Sequence, residues 1–421
     1  MATQPQKTIY VFADWMELRG PTLMGQVFAA PSRGKEVFSF QYDQTWLQSG
    51  HEKILDPRLG FFSGPQYPNQ DHANFGVFLD SSPDRWGRTL MMRREAYHAR
   101  IAGRPERRLM ESDFLLGVFD GHRMGALRFK LEKNGAFLDD DLLHTTPPWA
   151  QLGDLEHAST QLEKANAESK KEYIKWLTLL IAPGGSLGGA RPKASVVDKK
   201  GDLWIAKFPS VNDERNVGAW EFIVYQLAIK SKIEMANAQI INFSGKHDTF
   251  LARRFDRQKD KRIHFASAMT LLERADGSNA NDGVSYLDLV DFLSKNGCQA
   301  NADLEQLWRR IVFNICVSNV DDHLRNHGFI LTKNGWKLSP AFDINPSEHG
   351  QGLTLNISAT DNSQDLSLVL DVAEKFRIQE RKATKIVEEV TSAVRQWPMI
   401  AAKFVSKKEM EKMKPAFRVV D

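Results

Sequence analysis

The sequence predicts an α+β protein of two lobes, a mixed β/α N-terminal lobe followed by a mostly α-helical C-terminal lobe. Three observations predict it. The chain has 421 residues, more than one ordinary core accommodates. Segments with strand character concentrate before about residue 255, and long amphipathic helical patterns dominate after Arg257. The expected divisions are 1–130, 131–255 with a glycine-rich loop and a strand lysine, and 256–421.

The elements follow in order. Thr8 to Phe12 is rich in β-branched and aromatic residues, which suit a pleated, half-buried surface, and Met24 to Phe28 reads as a second strand beyond the Gly20-Pro21 turn. Ser81-Ser82-Pro83-Asp84 carries helix-start signals, a serine cap with proline in the first turn, and the helix runs through Trp86 and Leu90 towards Ala96. Gly125 to Leu131 reads as a strand. Glu163 to Ala182 reads as one helix ending at Pro183-Gly184-Gly185. A strand pair follows, Ala194 to Val197 and Leu203 to Phe208, then a helix from Val217 to Lys230, then strands near Ala238 to Phe243 and Thr249 to Arg254. Tyr286 to Ser294 and Leu304 to Val317 read as buried helices. Ala383, Ile386, Val387, Val390, Val394 and Trp397 recur at helical spacing, the stripe of a helix packed on a core.

Composition narrows the function classes. At 42% hydrophobic and 26% charged residues the chain is globular, and 56 basic against 53 acidic residues give a net charge of +3, too weak to argue for nucleic-acid binding. The basic clusters Arg93-Arg94 and Arg104 to Arg108 read as solvated faces. Two cysteines, Cys298 and Cys316, exclude a disulfide framework or a multi-thiolate zinc site. No basic-then-apolar leader opens the sequence and no run of about 18 apolar residues occurs, so the expectation is a cytoplasmic protein without membrane contact.

Four constellations carry chemistry. Gly184 to Lys193 holds four glycines in six residues, which allow backbone N–H groups to approach an anion, with Arg191 and Lys193 adding charge; the Walker order fails, and a flexible turn is the plain alternative. Lys207 lies in an apolar strand about twenty residues beyond the loop, where a lysine either faces water or meets a ligand; Glu221 on the next helix is a candidate partner or an ordinary surface acid. In SNVDDHLRNHGFIL, from Ser318 to Leu331, His323 and His327 are four apart, but Leu324 stands where a zinc protease needs glutamate. Asp321 and Asn326 instead keep the D-x-x-x-x-N spacing of kinase catalytic loops, in which the aspartate orients and deprotonates a hydroxyl and the asparagine oxygen suits Mg2+. Asp343 follows seventeen residues after Asn326, beyond two short strands, Gly328 to Leu331 and Gly335 to Leu338. Catalytic loop, hairpin, metal aspartate is the kinase order, so the two lobes are expected to form a bilobal kinase-like fold.

The segments Gly185 to Ala194, Asn319 to Phe329 and Pro340 to Pro346 resemble the HipA-type serine/threonine kinase toxins of bacterial type II toxin–antitoxin systems. Phe78 to Arg88 and Met124 to Phe129 are similar to that family's N-terminal subdomain, so the resemblance spans most of the chain, with region 1–130 as that subdomain. It implies a kinase that uses ATP and Mg2+, with Asp321 as catalytic base and Asn326 and Asp343 as metal ligands. It implies Lys207 on the phosphates, Gly188, Gly189, Ala190 and Lys193 in the phosphate-binding loop, His323 beside the nucleotide, and Arg254 and Phe255 at the hinge. Ser186 matches the serine whose autophosphorylation silences the family's kinases. The implied partners are a small helix-turn-helix antitoxin of the HipB kind, with DNA met only through it, and a protein substrate, an aminoacyl-tRNA synthetase. No G-x-G-x-x-G, no His-Arg before Asp321 and no glycine after Asp343 occur, which puts eukaryote-style activation-loop control in doubt. A kinase-like binding module acting as co-repressor and a small-molecule kinase stand as the alternatives.

Overall fold

The computed structural model describes residues 6–69, 72–138, 146–181, 189–243 and 245–419. Ser186 and Gly188 lie outside these. The chain forms two compact units, Met1–Asn212 with Asp256–Ala266, and Asp213–Phe255 with Ser267–Asp421.

The first unit opens on a four-stranded antiparallel sheet. Strands β1 (Lys7–Ala13), β2 (Thr22–Ser32), β3 (Lys35–Tyr42) and β4 (Leu127–Lys130) take the order β3-β2-β1-β4. In β3, which the sequence reading passed over, Phe38, Phe40 and Tyr42 alternate into the core as a period of two requires. Phe40 meets Phe78 at 5.6 Å, and Phe78 meets Phe129 at 6.1 Å, tying the sheet to the segment ahead of the first long helix. Gly25 is required by close approach, because a Cβ there would overlap Gln41 O and the Phe40 ring.

Helix α1 (Arg85–Ile101) is capped by Asp84, whose Oδ1 accepts from Gly87 N at 2.8 Å. The serine cap expected within Ser81-Ser82-Pro83-Asp84 is therefore corrected to Asp84. Ser81 and Ser82 turn their hydroxyls back onto Val77 O and Phe78 O, and Pro83 disfavours helical geometry at Ser82, so the helix begins only beyond the proline. The single helix expected over Glu163 to Ala182 is also corrected. Helix α2 (Leu152–Glu163) ends, Asn166 adopts φ +59°, and helix α3 (Tyr173–Ile181) starts afresh. A left-handed residue cannot continue a right-handed helix. Strands β5 (Lys193–Val197) and β6 (Leu203–Lys207) then form a hairpin with Lys193 opposite Lys207 and Ala194 opposite Ala206.

In the second unit, helix α4 (Val217–Lys230) occupies the expected span, capped by Asn216, which accepts from Ala219 N. Strands β7 (Ala238–Ile241) and β8 (Thr249–Arg253) pair antiparallel. Helix α5 (Tyr286–Asn296) starts in a capping box of Ser285 and Asp288. Helix α6 (Ala300–Cys316) is the core element, with Leu304, Leu307, Trp308, Ile311 and Val312 fully buried. Strands β9 (Gly328–Thr332) and β10 (Gly335–Leu338) form the hairpin read from the sequence. Helix α7 (Glu380–Val394) packs on α6 through Ala383, Ile386, Val390 and Val394. No helix among the described residues is long and apolar enough to cross a membrane.

Candidate active site

The acid–base and metal candidates lie in the second unit, on the loop between α6 and β9. Ser318, at φ +48°, turns the chain as it leaves α6. Asp321 is exposed and Asp322 is buried. Asn326, 8% exposed, donates its Nδ2 to the Asp321 backbone oxygen at 2.9 Å. That bond closes the five-residue spacing into a compact loop. The Oδ1 of Asn326 accepts no hydrogen bond among the described residues. It remains as a hard oxygen for a cation. His323 donates its backbone N–H to Asp321 O, and its Nδ1 is buried without a hydrogen bond.

Asp322 anchors the loop from inside. Its Oδ2 accepts from Tyr286 Oη at 2.6 Å, Asn314 Nδ2 at 2.7 Å and His327 Nε2 at 2.8 Å. Burial alone would raise this carboxyl, but the charge and hydrogen bond of His327 and the Tyr286 hydroxyl outweigh it and hold the group below its ordinary range. The Tyr286 hydroxyl is pushed well above its usual value, by burial first and then by the Asp322 charge.

Asp343 sits at φ +57°, a strained conformation for a residue with a Cβ. The preceding segment is pinned where Ala341 N donates to Glu234 O at 2.7 Å, and the Phe342 ring lies 5.6 Å from Phe255. Asn345 donates Nδ2 to Asp343 Oδ1 at 3.2 Å, and its own Oδ1 is buried without a partner. A chain of asparagines joins this aspartate to the loop. Asn314, which serves Asp322, accepts from Asn319 Nδ2 at 3.1 Å, and Asn319 Oδ1 accepts from Asn345 N at 3.2 Å. Sequence reasoning missed Asn314, Asn319 and Asn345. Their signal was burial of amides beside an acidic motif, which only the folded chain displays.

The oxygens these residues offer are of the kind Mg2+ takes. Asn326 Oδ1, the Asp343 carboxylate and the orphaned Asn345 Oδ1 are all hard oxygens. Among the described residues no three His, Cys, Asp or Glu side chains gather as a metal-holding group. Mg2+ takes one or two protein carboxylates and keeps waters and phosphates for the rest.

The nucleotide-loop candidates lie in the first unit, except the hinge pair. Gly189 and Ala190 are exposed, and Gly189 adopts φ +86°. Lys207 is half-buried at the end of β6. Lys193 is 2% exposed, its Nζ paired with Asp84 at 2.8 Å and donating to Gly189 O at 3.2 Å. In the second unit Arg254 is buried and Phe255 half-buried. Glu221 is 5% exposed, which overturns its reading as a surface acid: α4 is apolar on nearly all sides and buried accordingly.

Residues 185–397 match the family model described as the HipA-like C-terminal domain. The chain belongs to the HipA family. A Haemophilus influenzae relative named "Putative kinase" is 25% identical over 184 residues, 38% of this chain and 52% of that one. The serine/threonine-protein kinase toxin HipA of Shewanella oneidensis is 29% identical over 145 residues, 30% of this chain and 33% of that one. The chain thus matches about half and about a third of the length of these relatives. Among solved structures, Shewanella oneidensis HipA, in a complex with HipB and operator DNA, superposes with a TM-score of 0.66 at 17% identity, covering 97% of this chain and 94% of that one. That likeness supports the bilobal kinase-like fold class expected from the order of the motifs.

Proposed function

We propose that this HipA family member is an ATP- and Mg2+-dependent serine/threonine protein kinase, the toxin of a toxin–antitoxin pair. The observation that carries the reading is the loop 321–326, in which an exposed Asp321 is closed onto a buried Asn326 that keeps its oxygen available. In this reading Asp321 accepts the proton of the attacking hydroxyl, and Asn326 and Asp343 are the residues that would hold Mg2+. When bound, the metal neutralises charge developing on the phosphate oxygens. Lys207 meets the phosphates with Gly188, Gly189, Ala190 and Lys193 of the loop, His323 lies beside the nucleotide, and Arg254 and Phe255 meet the adenine side. Ser186 is the proposed autophosphorylation site that silences the enzyme. The proposed substrate is an aminoacyl-tRNA synthetase, and the proposed partner a small helix-turn-helix antitoxin, the HipB–DNA complex of the structural relative being what supports it.

Incubation of the chain with labelled ATP and Mg2+ tests this. Phosphate is expected on Ser186 and on a synthetase, and Asp321→Asn is expected to abolish both. A chain that transfers nothing, or an Asp321→Asn variant as active as the wild type, refutes the reading.

A further inference from the structure

The stretch Ser82 to Arg88 has no part in the proposed chemistry, yet it packs against the exit of the phosphate loop. Asp84 uses its two oxygens for two tasks. Oδ1 caps α1 at Gly87 N, and Oδ2 takes Lys193 Nζ at 2.8 Å. Two residues on, Trp86 Nε1 donates to Lys193 O at 3.1 Å. Lys193 is thus held by its side chain and its backbone at once, and the two paired side chains are only 2% and 1% exposed. The same Nζ reaches back to Gly189 O, drawing 189–193 into a closed turn. A Cβ on Gly189 would lie 3.4 Å from that Nζ, in a backbone conformation glycine adopts readily.

Charge explains why the aspartate is needed. Lys193 and Lys207 are direct cross-strand partners and so project from the same face of the hairpin. Two ammonium groups opposite each other repel, and a buried ammonium without a counter-charge is strongly disfavoured. Asp84 answers both problems. It neutralises the buried lysine and so relieves its repulsion with the half-buried Lys207 opposite.

We propose that Asp84 and Trp86 are positioning residues for the phosphate-binding loop, acting through Lys193, which is the anchor of the loop exit. This rests on the kinase reading of the site. Two full-chain variants test it. Trp86→Phe keeps an aromatic ring, though a smaller one, and removes the donor. Asp84→Asn with Lys193→Met removes both charges and keeps a capping side chain for Gly87 N. The readouts are the dissociation constant of a fluorescent ATP analogue, KM against kcat for ATP, and hydrogen exchange of 189–197 compared with 7–13. Loss of one buried hydrogen bond or the pair should weaken nucleotide binding and raise KM by about tenfold while kcat changes less. Exchange should quicken in 189–197 and stay unchanged in 7–13. Unchanged nucleotide affinity, or a fall in kcat and stability at constant KM, gives these residues a structural role only and overturns the proposal. If the double variant does not fold, Trp86→Phe decides alone. A wild-type chain that binds no nucleotide overturns the kinase reading and this proposal with it; the exchange readout separates the two, because unchanged exchange in the variants defeats the anchor whatever the nucleotide result.

Discussion

Asp321 and Asp322 are sequence neighbours with opposite surroundings, the first exposed and the second 4% exposed with three donors on one oxygen. The two neighbours point to different sides of this compact loop, so one aspartate faces outward while the other fastens the loop to α5 and α6. The proposed chemistry belongs to the outward one and the rigidity it depends on to the inward one.

The two should therefore fail differently. Asp321→Asn is expected to abolish phosphoryl transfer with little change in stability, because an exposed side chain is altered. Asp322→Ala leaves the donors of Tyr286, Asn314 and His327 buried without an acceptor and should destabilise the fold by about 3 kcal/mol. Urea denaturation of both variants beside a kinase assay separates the effects. Equal stability losses would contradict the assignment. The acid side carries the same signature. Asp322 is held below its ordinary value, so its contribution is fully present above the unfolded-state pKa near 3.8 and is lost as pH falls through the lower folded value. Asp322→Asn should flatten that acid limb.

His264 sets a second pH window. It is 1% exposed in the first unit, and burial pushes its imidazole down to about 3 from the usual 6.5. A depressed histidine stabilises above its unfolded pKa, and that stability is lost as pH falls towards the folded value. From pH 6.5 downwards the unfolded chain gains a proton that the folded chain refuses, with a slope approaching about 1.4 kcal/mol per pH unit. Denaturation at pH 7.5 and 5.5 should show this slope in the wild type and a shallower one in His264→Phe. Parallel slopes would remove His264 as the cause.

Asp343 exchanges stability for placement. Its φ of +57° is readily adopted by glycine and strained for aspartate. Asp343→Gly relieves that strain but loses the carboxylate's contacts, the bond from Asn345 among them, so the two changes oppose each other and stability should change by no more than about 1–2 kcal/mol. Activity should vanish, since the proposed metal carboxylate is gone. A melting curve and an assay together check it, and a large loss of stability would show that the carboxylate holds the fold.

Local signals were legible and long-range ones were not. The hairpin β5–β6, helix α4 and the loop from Asp321 to Asn326 follow from alternation, from an apolar run with a clear start, and from a fixed spacing, all within a few residues. Strand β3 was equally legible in the alternation of Phe38, Phe40 and Tyr42 and was passed over. The break between α2 and α3 rests on one residue, Asn166, in a conformation the sequence permits without requiring. The contacts that hold the site join residues far apart. Asp84 and Lys193 are 109 positions apart and Tyr286 and Asp322 36, so no periodicity reports them.

The asparagine chain gives the sharpest test of how the site is held. Asn319 joins two segments: its Nδ2 serves Asn314, which serves Asp322, and its Oδ1 receives Asn345 N, whose side chain serves Asp343. Asn319 is 1% exposed, so removing its amide leaves an acceptor and a donor buried and unmatched. Asn319→Ala touches no proposed ligand of metal or nucleotide. It should nevertheless lower Mg2+ affinity or activity by about 10–100-fold, the usual consequence of losing a group that orients a metal ligand. Asn319→Asp keeps the acceptor for Asn345 N but loses the donor to Asn314, so it should retain more Mg2+ affinity than Asn319→Ala. Titration of Mg2+ against kinase rate at saturating ATP distinguishes the cases. A higher Mg2+ requirement with a recoverable maximal rate marks loss of orientation at Asp343. A lower maximal rate at an unchanged Mg2+ requirement places the effect on Asp321, through the Asp322 end of the chain.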